Sequence, residues 1–133
     1  MDPGGELTFV TWNIDGLHPH LLKERTEAVI VTLTKMSADI VFLQEVIPET
    51  FSNIKSQMTN YECIAAKQSE YFVATLLRRG RVSLVRHKVV DFPNTMMDRH
   101  VLAIQVRFIN YKSIEYHGTL HYMSLGSVRE CCD

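Results

Sequence analysis

Ile40-Val41-Phe42-Leu43 is an unbroken apolar run directly after a helical pattern, and it limits what the chain can fold into. A strand apolar on both faces must be covered on both sides, the position of a strand inside a layered α/β sheet. Upstream, Leu7-Thr8-Phe9-Val10-Thr11-Trp12-Asn13 is rich in β-branched and aromatic residues and reads as a strand. It stops at Asn13-Ile14-Asp15-Gly16, a cluster of turn formers, and a polar loop with His18, Pro19 and His20 follows. From Leu21 to Met36 apolar residues recur at Leu22, Val29, Leu33 and Met36, which predicts a helix with those four on its covered face. Pro48 is placed to open a second helix with Phe51, Ile54 and Met58 on one side. Strand, helix, strand, helix makes a β-α-β unit with two parallel strands.

The pattern then changes to strands separated by short polar breaks: Tyr61–Ala66, Tyr71–Arg78, Val82–Asp91 and His100–Phe108. Gly80, between Arg79 and Arg81, reads as a hairpin turn, and Phe92–Asp98 as a loop. No internal repeat, low-complexity run or linker interrupts the chain. The fold class that follows is α/β (α+β), a layered sheet protein.

Length and composition narrow the function classes. At 133 residues the chain is one domain or a piece of a larger one. No apolar stretch approaches the roughly 20 residues of a membrane helix. Met1–Glu6 has neither the basic nor the apolar region of a secretory signal. The expectation is an intracellular protein with no membrane partner. Three cysteines, with Cys63 in a strand and Cys131 and Cys132 adjacent at the end, do not form a disulfide framework. Fourteen basic against fifteen acidic residues exclude a long basic face for nucleic acid. A phosphate substrate would have to be held locally, by a metal or a few placed basic groups.

Two carboxylates stand out by position. Asp15 lies just past the first strand and Glu45 closes the second, so parallel pairing would bring both, with Asn13, to one sheet edge. An oxygen-rich trio suits a hard cation such as magnesium. The same Asn-x-Asp-Gly cluster also makes a side-chain-stabilised turn, and a Glu at a strand end is often just where the chain meets water. The residues alone leave both readings open. His18, His20, His87 and His100 carry no motif and read as surface or loop residues. His117 and His121 have helical zinc spacing, but Gly118 and Thr119 between them disfavour a helix.

Thr11-Trp12-Asn13-Ile14-Asp15-Gly16-Leu17, followed by Asp39-Ile40-Val41-Phe42-Leu43-Gln44-Glu45-Val46, resembles the opening of the endonuclease/exonuclease/phosphatase superfamily. Within it the likeness is to the 5′-tyrosyl-DNA phosphodiesterases, which remove trapped topoisomerase peptides from DNA 5′ ends. It extends through Asn60-Tyr61-Glu62, Tyr71-Phe72 and Phe92-Pro93-Asn94-Thr95 to Arg99, covering residues 7–108. The resemblance implies a layered α/β sandwich of which this chain is the first half. Residues 1–6 would be a flexible N-terminus and 109–133 a divergent C-terminal segment.

The resemblance also implies roles. Glu45 would ligate Mg2+, with Mn2+ as the alternative, and Asp15 would stand beside it through water. Asn13 would be catalytic, helping to hold the metal and the phosphate oxygens. Asn13, Ile14, Asp15, Gly16, Leu17, Tyr71 and Arg99 would contact a DNA 5′-phosphotyrosyl end, with Arg99 over the phenol as a cation–π contact. The implied activity is hydrolysis in DNA repair, located in the nucleus and also the cytoplasm. Two family motifs, Gly-Asp-x-Asn and the closing Ser-Asp-His, are absent. His121 falls near where the family's Ser-His-Leu-Glu strand end belongs. The expectation is therefore a phosphodiesterase half that is inactive alone. The alternatives are a non-catalytic module binding a protein partner through its uncovered sheet, or a superfamily member acting on phosphoinositides, RNA or abasic DNA. Tyr71 and Arg99 speak against that last alternative.

Overall fold

The computed structural model describes residues 6–66, 70–91, 100–109 and 115–124, with 91, 100 and 115–124 as backbone alone. The element order is β1 (Phe9–Asn13), α1 (Leu22–Met36), β2 (Ile40–Val46), α2 (Pro48–Gln57), β3 (Tyr61–Ala65) and β4 (Phe72–Arg78). There follow β5 (Val82–Asp91), β6 (His100–Ile109) and β7 (Glu115–Ser124). The strands form two sheets, one ordered β1-β2-β4-β3 and the other β5-β6-β7. β1 and β2 are parallel, with Phe9 opposite Ile40 and Asn13 opposite Gln44, as the β-α-β pattern predicts. Every other pairing is antiparallel.

Strand alternation divides the apolar residues between two cores. Val41 and Leu43 of β2 and Phe72, Ala74 and Leu76 of β4 pack with Val29, Ile30 and Leu33 of α1 and Phe51 and Ile54 of α2. Phe51 meets Phe72 edge to face, ring centroids 5.6 Å apart. Ile40 of β2 and Val73 and Leu77 of β4 turn the other way, against Val82, Leu102, Ile104 and Val106 of the second sheet. The layers are therefore helices, first sheet, second sheet. That sandwich is why β2 carries an uninterrupted apolar run and why Phe72–Leu77 is buried at every position.

Packing rather than capping holds α1. Its N-cap, Leu21, is left-handed, exposed and makes no side-chain cap bond. Each fully buried aliphatic side chain contributes about 1.5–3 kcal/mol, more than a missing cap removes. The buried stripe is Thr26, Val29, Ile30 and Leu33. Met36, expected on that face, is 54% exposed, in the last turn beyond Leu33, where the buried stripe stops. The α2 expectation holds, with Pro48 in the first turn and Phe51, Ile54 and Met58 buried.

Gly80 does make a turn, with φ 82° and Arg81 N–H bonded to Arg78 O at 3.2 Å, but no hairpin results. β4 is already paired on both sides, by β2 and β3, so it has no edge left for β5. The chain crosses to the second sheet instead. The strand at Glu115–Ser124 is one that sequence patterning had not marked; it pairs along the whole of β6. Gly118, amid polar residues, hides the alternation there.

Asp39 anchors the end of the first sheet away from Glu45. Its Oδ2 accepts from Thr8 N–H (3.0 Å) and Thr8 Oγ1 (3.2 Å), and its Oδ1 from Arg81 Nε (3.1 Å). Arg81 also donates to Glu6 O, so one buried carboxylate ties together the starts of β1 and β2 and the β4–β5 turn. Burial works to raise the Asp39 carboxyl, but the Arg81 and Thr8 hydrogen bonds and the Arg81 charge outweigh it and hold it below the usual value. Among the described residues no helix is long and apolar enough to cross a membrane.

Candidate functional site

The site starts from a one-residue irregularity in β2. Leu43 faces Ala74 and Val46 faces Phe72, three steps on β2 against two on β4. The extra residue is a β-bulge, and it keeps both Leu43 and Val46 on the helix side of the sheet despite their odd spacing. Glu45 absorbs the distortion with φ 52°, in the left-handed region that non-glycine residues rarely adopt. Asp15, just beyond β1, sits at φ 50°. The two carboxylate residues thus share one sheet edge, and each has a backbone shape that its surroundings must impose.

Backbone hydrogen bonds join the two strand ends. Ile14 N–H donates to Gln44 O at 3.2 Å and Gly16 N–H to Glu45 O at 2.9 Å. Asp15 N–H donates to Asn13 Oδ1 at 2.9 Å, and His18 N–H to Asp15 O at 3.2 Å. The side-chain-stabilised turn is therefore present, and backbone hydrogen bonds tie the strand end that carries Asp15 to the one that carries Glu45. The turn reading of this cluster holds. With Oδ1 engaged in the turn, the Asn13 amide nitrogen is its donor end. Gly16 is buried because β2 passes directly over it: a Cβ there would collide with the Glu45 carbonyl oxygen and lie 3.3 Å from Ile47 N. Ile14 is buried in the helix-side core, while Leu17, Asp15 and Glu45 are half-buried.

Arg25 completes the turn, and sequence patterning missed it. Its Nη2 donates to Ile14 O (2.9 Å) and Asp15 O (2.6 Å); its Nη1 donates to His18 O (2.8 Å) and His20 O (3.2 Å). One signal was available. A cation in the first turn of a helix opposes the macrodipole, so an arginine there is commonly employed on something outside the helix.

Tyr71 directly precedes β4, whose first residue pairs with Val46, so it stands half-buried at the same edge as Glu45. Arg99 and the Phe92–Asp98 loop lie outside the described residues, as do residues 1–5, 125–133 and with them Cys131 and Cys132. β6 starts next to Arg99, at the opposite end of the strand from the Ile109 N–H to Arg81 O bond. His117 and His121 fall in β7, not in a helix. His18, His20 and His87 are exposed, as expected of residues without a motif.

Among the described residues no three His, Cys, Asp or Glu side chains gather as a metal group. The Asp15–Glu45 pair is a smaller oxygen set. It fits magnesium, which commonly takes one or two protein carboxylates and completes its shell with water and substrate phosphate.

Relatives place this arrangement in a known context. Tyrosyl-DNA phosphodiesterase 2 from Homo sapiens is 41% identical over 103 residues, which are 77% of this chain and 28% of that protein. The Bos taurus protein is 39% identical over 105 residues, 79% and 29% of the two chains. Among solved structures, TDP2 from D. rerio with single-strand DNA product superposes with a TM-score of 0.79 at 29% identity, covering 94% of this chain and 48% of that one. Truncated Caenorhabditis elegans TDP2 gives 0.82 at 27%, covering 96% and 49%. The chain thus spans under a third of its curated relatives and about half of these crystallised chains. The family match itself runs over residues 10–127, past residue 108 and through β7, and on this match the chain belongs to the endonuclease/exonuclease/phosphatase family.

Proposed function

We propose that this chain carries the metal-binding sheet edge of a divalent-metal-dependent phosphodiesterase of the 5′-tyrosyl-DNA type, with Mg2+ as the resident ion and Mn2+ as a substitute. The observation that carries the reading is the junction of Asn13, Asp15 and Glu45, fixed by the Gly16–Glu45 and Asp15–Asn13 hydrogen bonds. Glu45 would ligate the ion and Asp15 would orient its water. The Asn13 amide nitrogen would donate to a phosphate oxygen. Bound there, the ion supplies Lewis-acid polarisation of the phosphoryl group and stabilises charge on the departing phenolate. Tyr71, at the same edge, and Arg99 would receive the DNA 5′ end and its tyrosine. The DNA-bound relative and the tyrosyl-DNA relatives support DNA as the substrate class.

The water-orienting and phosphoryl-stabilising motifs of the family do not occur in this sequence, so the chain alone is proposed to bind metal without turnover. The nucleus, and the cytoplasm beside it, is proposed as its location on the same resemblance. The test is metal-dependent tyrosine release from a 5′-tyrosyl oligonucleotide, with Mn2+ binding followed by electron paramagnetic resonance. The expected result is Mn2+ binding lost in Glu45→Ala, with no release by either chain. Release that depends on Glu45 would overturn the proposed inactivity; binding unaffected by Glu45→Ala would overturn the site.

The edge that β1 forms among the described residues favours a second reading. Among those residues β1 ends the first sheet with Phe9 48% exposed, which suits a module that accepts a strand from a protein partner. A chain that sediments as a monodisperse monomer would count against it.

A further inference from the structure

We infer that Arg25 is a positioning residue: its guanidinium sets the backbone of the Asn13–Gly16 turn and, through it, where the Asp15 carboxylate stands relative to Glu45. The inference rests on the reading of Asp15 and Glu45 as cation ligands and adds to it the group that aligns them. Two consecutive peptide units of the turn are each held at both ends. In the Ile14–Asp15 unit the oxygen accepts from Arg25 Nη2 at 2.9 Å while the nitrogen donates to Asn13 Oδ1 at 2.9 Å. In the Asp15–Gly16 unit the oxygen accepts from Arg25 Nη2 at 2.6 Å while the nitrogen donates to Glu45 O at 2.9 Å. Rotating either unit breaks a bond on both sides, so the guanidinium on α1 and the bulge on β2 fix one geometry between them. That geometry includes the left-handed φ of 50° at Asp15, which an unrestrained turn would readily leave.

The side chain has to be arginine. Nη2 serves Ile14 and Asp15 while Nη1 serves His18 and His20, and only a planar fork reaches both pairs; a lysine ammonium is a single point. The same fork also closes the loop over residues 14–20. Its grip is on carbonyl oxygens, so its part is to shape the turn.

The experiment uses the whole chain as wild type, Arg25→Met, Arg25→Lys and Glu45→Ala, with residue-resolved amide exchange and Mn2+ affinity as readouts. Arg25→Met is expected to speed exchange of the Asp15 and Gly16 amides about tenfold or more, and to weaken Mn2+ by a similar factor, while amides of β4 keep their rates. Arg25→Lys keeps the charge and loses the fork, and is expected to recover less than half of either loss on a logarithmic scale. Wild-type exchange at Asp15 and Gly16 in both Arg25 variants would overturn the inference, whether or not the chain binds Mn2+. Full rescue of Mn2+ affinity by lysine would also overturn it, since charge rather than geometry would then be the cause. Absence of Glu45-dependent Mn2+ binding in the wild type would sink the metal reading separately, and with it the ligand-aligning part of the inference; the exchange rates would still decide whether Arg25 sets the turn.

Discussion

Gly16 donates its backbone N–H to the Glu45 carbonyl oxygen at 2.9 Å, across a gap too narrow for any Cβ at residue 16. The obstacle is backbone rather than the end of a flexible side chain, so an added methyl must push the turn and the bulge apart. Gly16→Ala is expected to lose about 1–3 kcal/mol of stability in urea titration and to weaken Mn2+ binding together with it. Wild-type values for both would show that the two strand ends are not coupled.

Glu45 carries a proposed ligand role on an unfavourable backbone shape. Its φ of 52° costs a non-glycine residue roughly 1–2 kcal/mol, which glycine avoids. Glu45→Gly should therefore be more stable than Glu45→Ala by about 1 kcal/mol, although both remove the carboxylate and are expected to lose the proposed Mn2+ binding. Equal stabilities in thermal unfolding would remove the claim that the bulge stores strain.

Asp39 should make the fold acid-sensitive. Its folded carboxyl titrates lower than an unfolded one, so the stability it contributes is complete above the ordinary aspartate value and is lost as pH falls toward the folded value. Asp39→Asn is expected to cost about 2 kcal/mol at neutral pH, and its gap to wild type should close as pH falls below about 4. A gap that stays constant between pH 7 and pH 3 would argue against a charged Asp39 in the native state.

Cys63 should be a sluggish thiol. Burial pushes it up, and the nearby Lys55 and Arg79 charges only partly offset this. Mass-mapped alkylation at neutral pH should modify Cys63 at least about tenfold more slowly than a cysteine in an unfolded peptide. Rapid labelling would mean that the edge strand β3 opens readily.

Much of the architecture was legible because period and length agreed. The double-faced apolar run at Ile40–Leu43, the Pro48 helix start and the parallel β1–β2 pair all read correctly from spacing. The joining of the two strand ends that carry Asp15 and Glu45 followed from that topology. What stayed hidden depends on contacts distant in sequence. The bulge at Glu45 shows only when β2 is set beside β4, and the Gly80 turn makes no hairpin because of pairings made elsewhere. Arg25 was obscured for a different reason: its partners are carbonyl oxygens, which every residue carries and no motif marks.

The burial of β4 on both faces reaches beyond the native state. Phe72-Val73-Ala74-Thr75-Leu76-Leu77 is a charge-free segment of high β-propensity that the fold conceals completely. Its partners β2 and β3 both precede it in the chain, so it can be covered as soon as it is made, and only an opening of the first sheet exposes it. Arg78 and Arg79 directly follow it, charged gatekeepers at the end of a stretch able to seed a fibril.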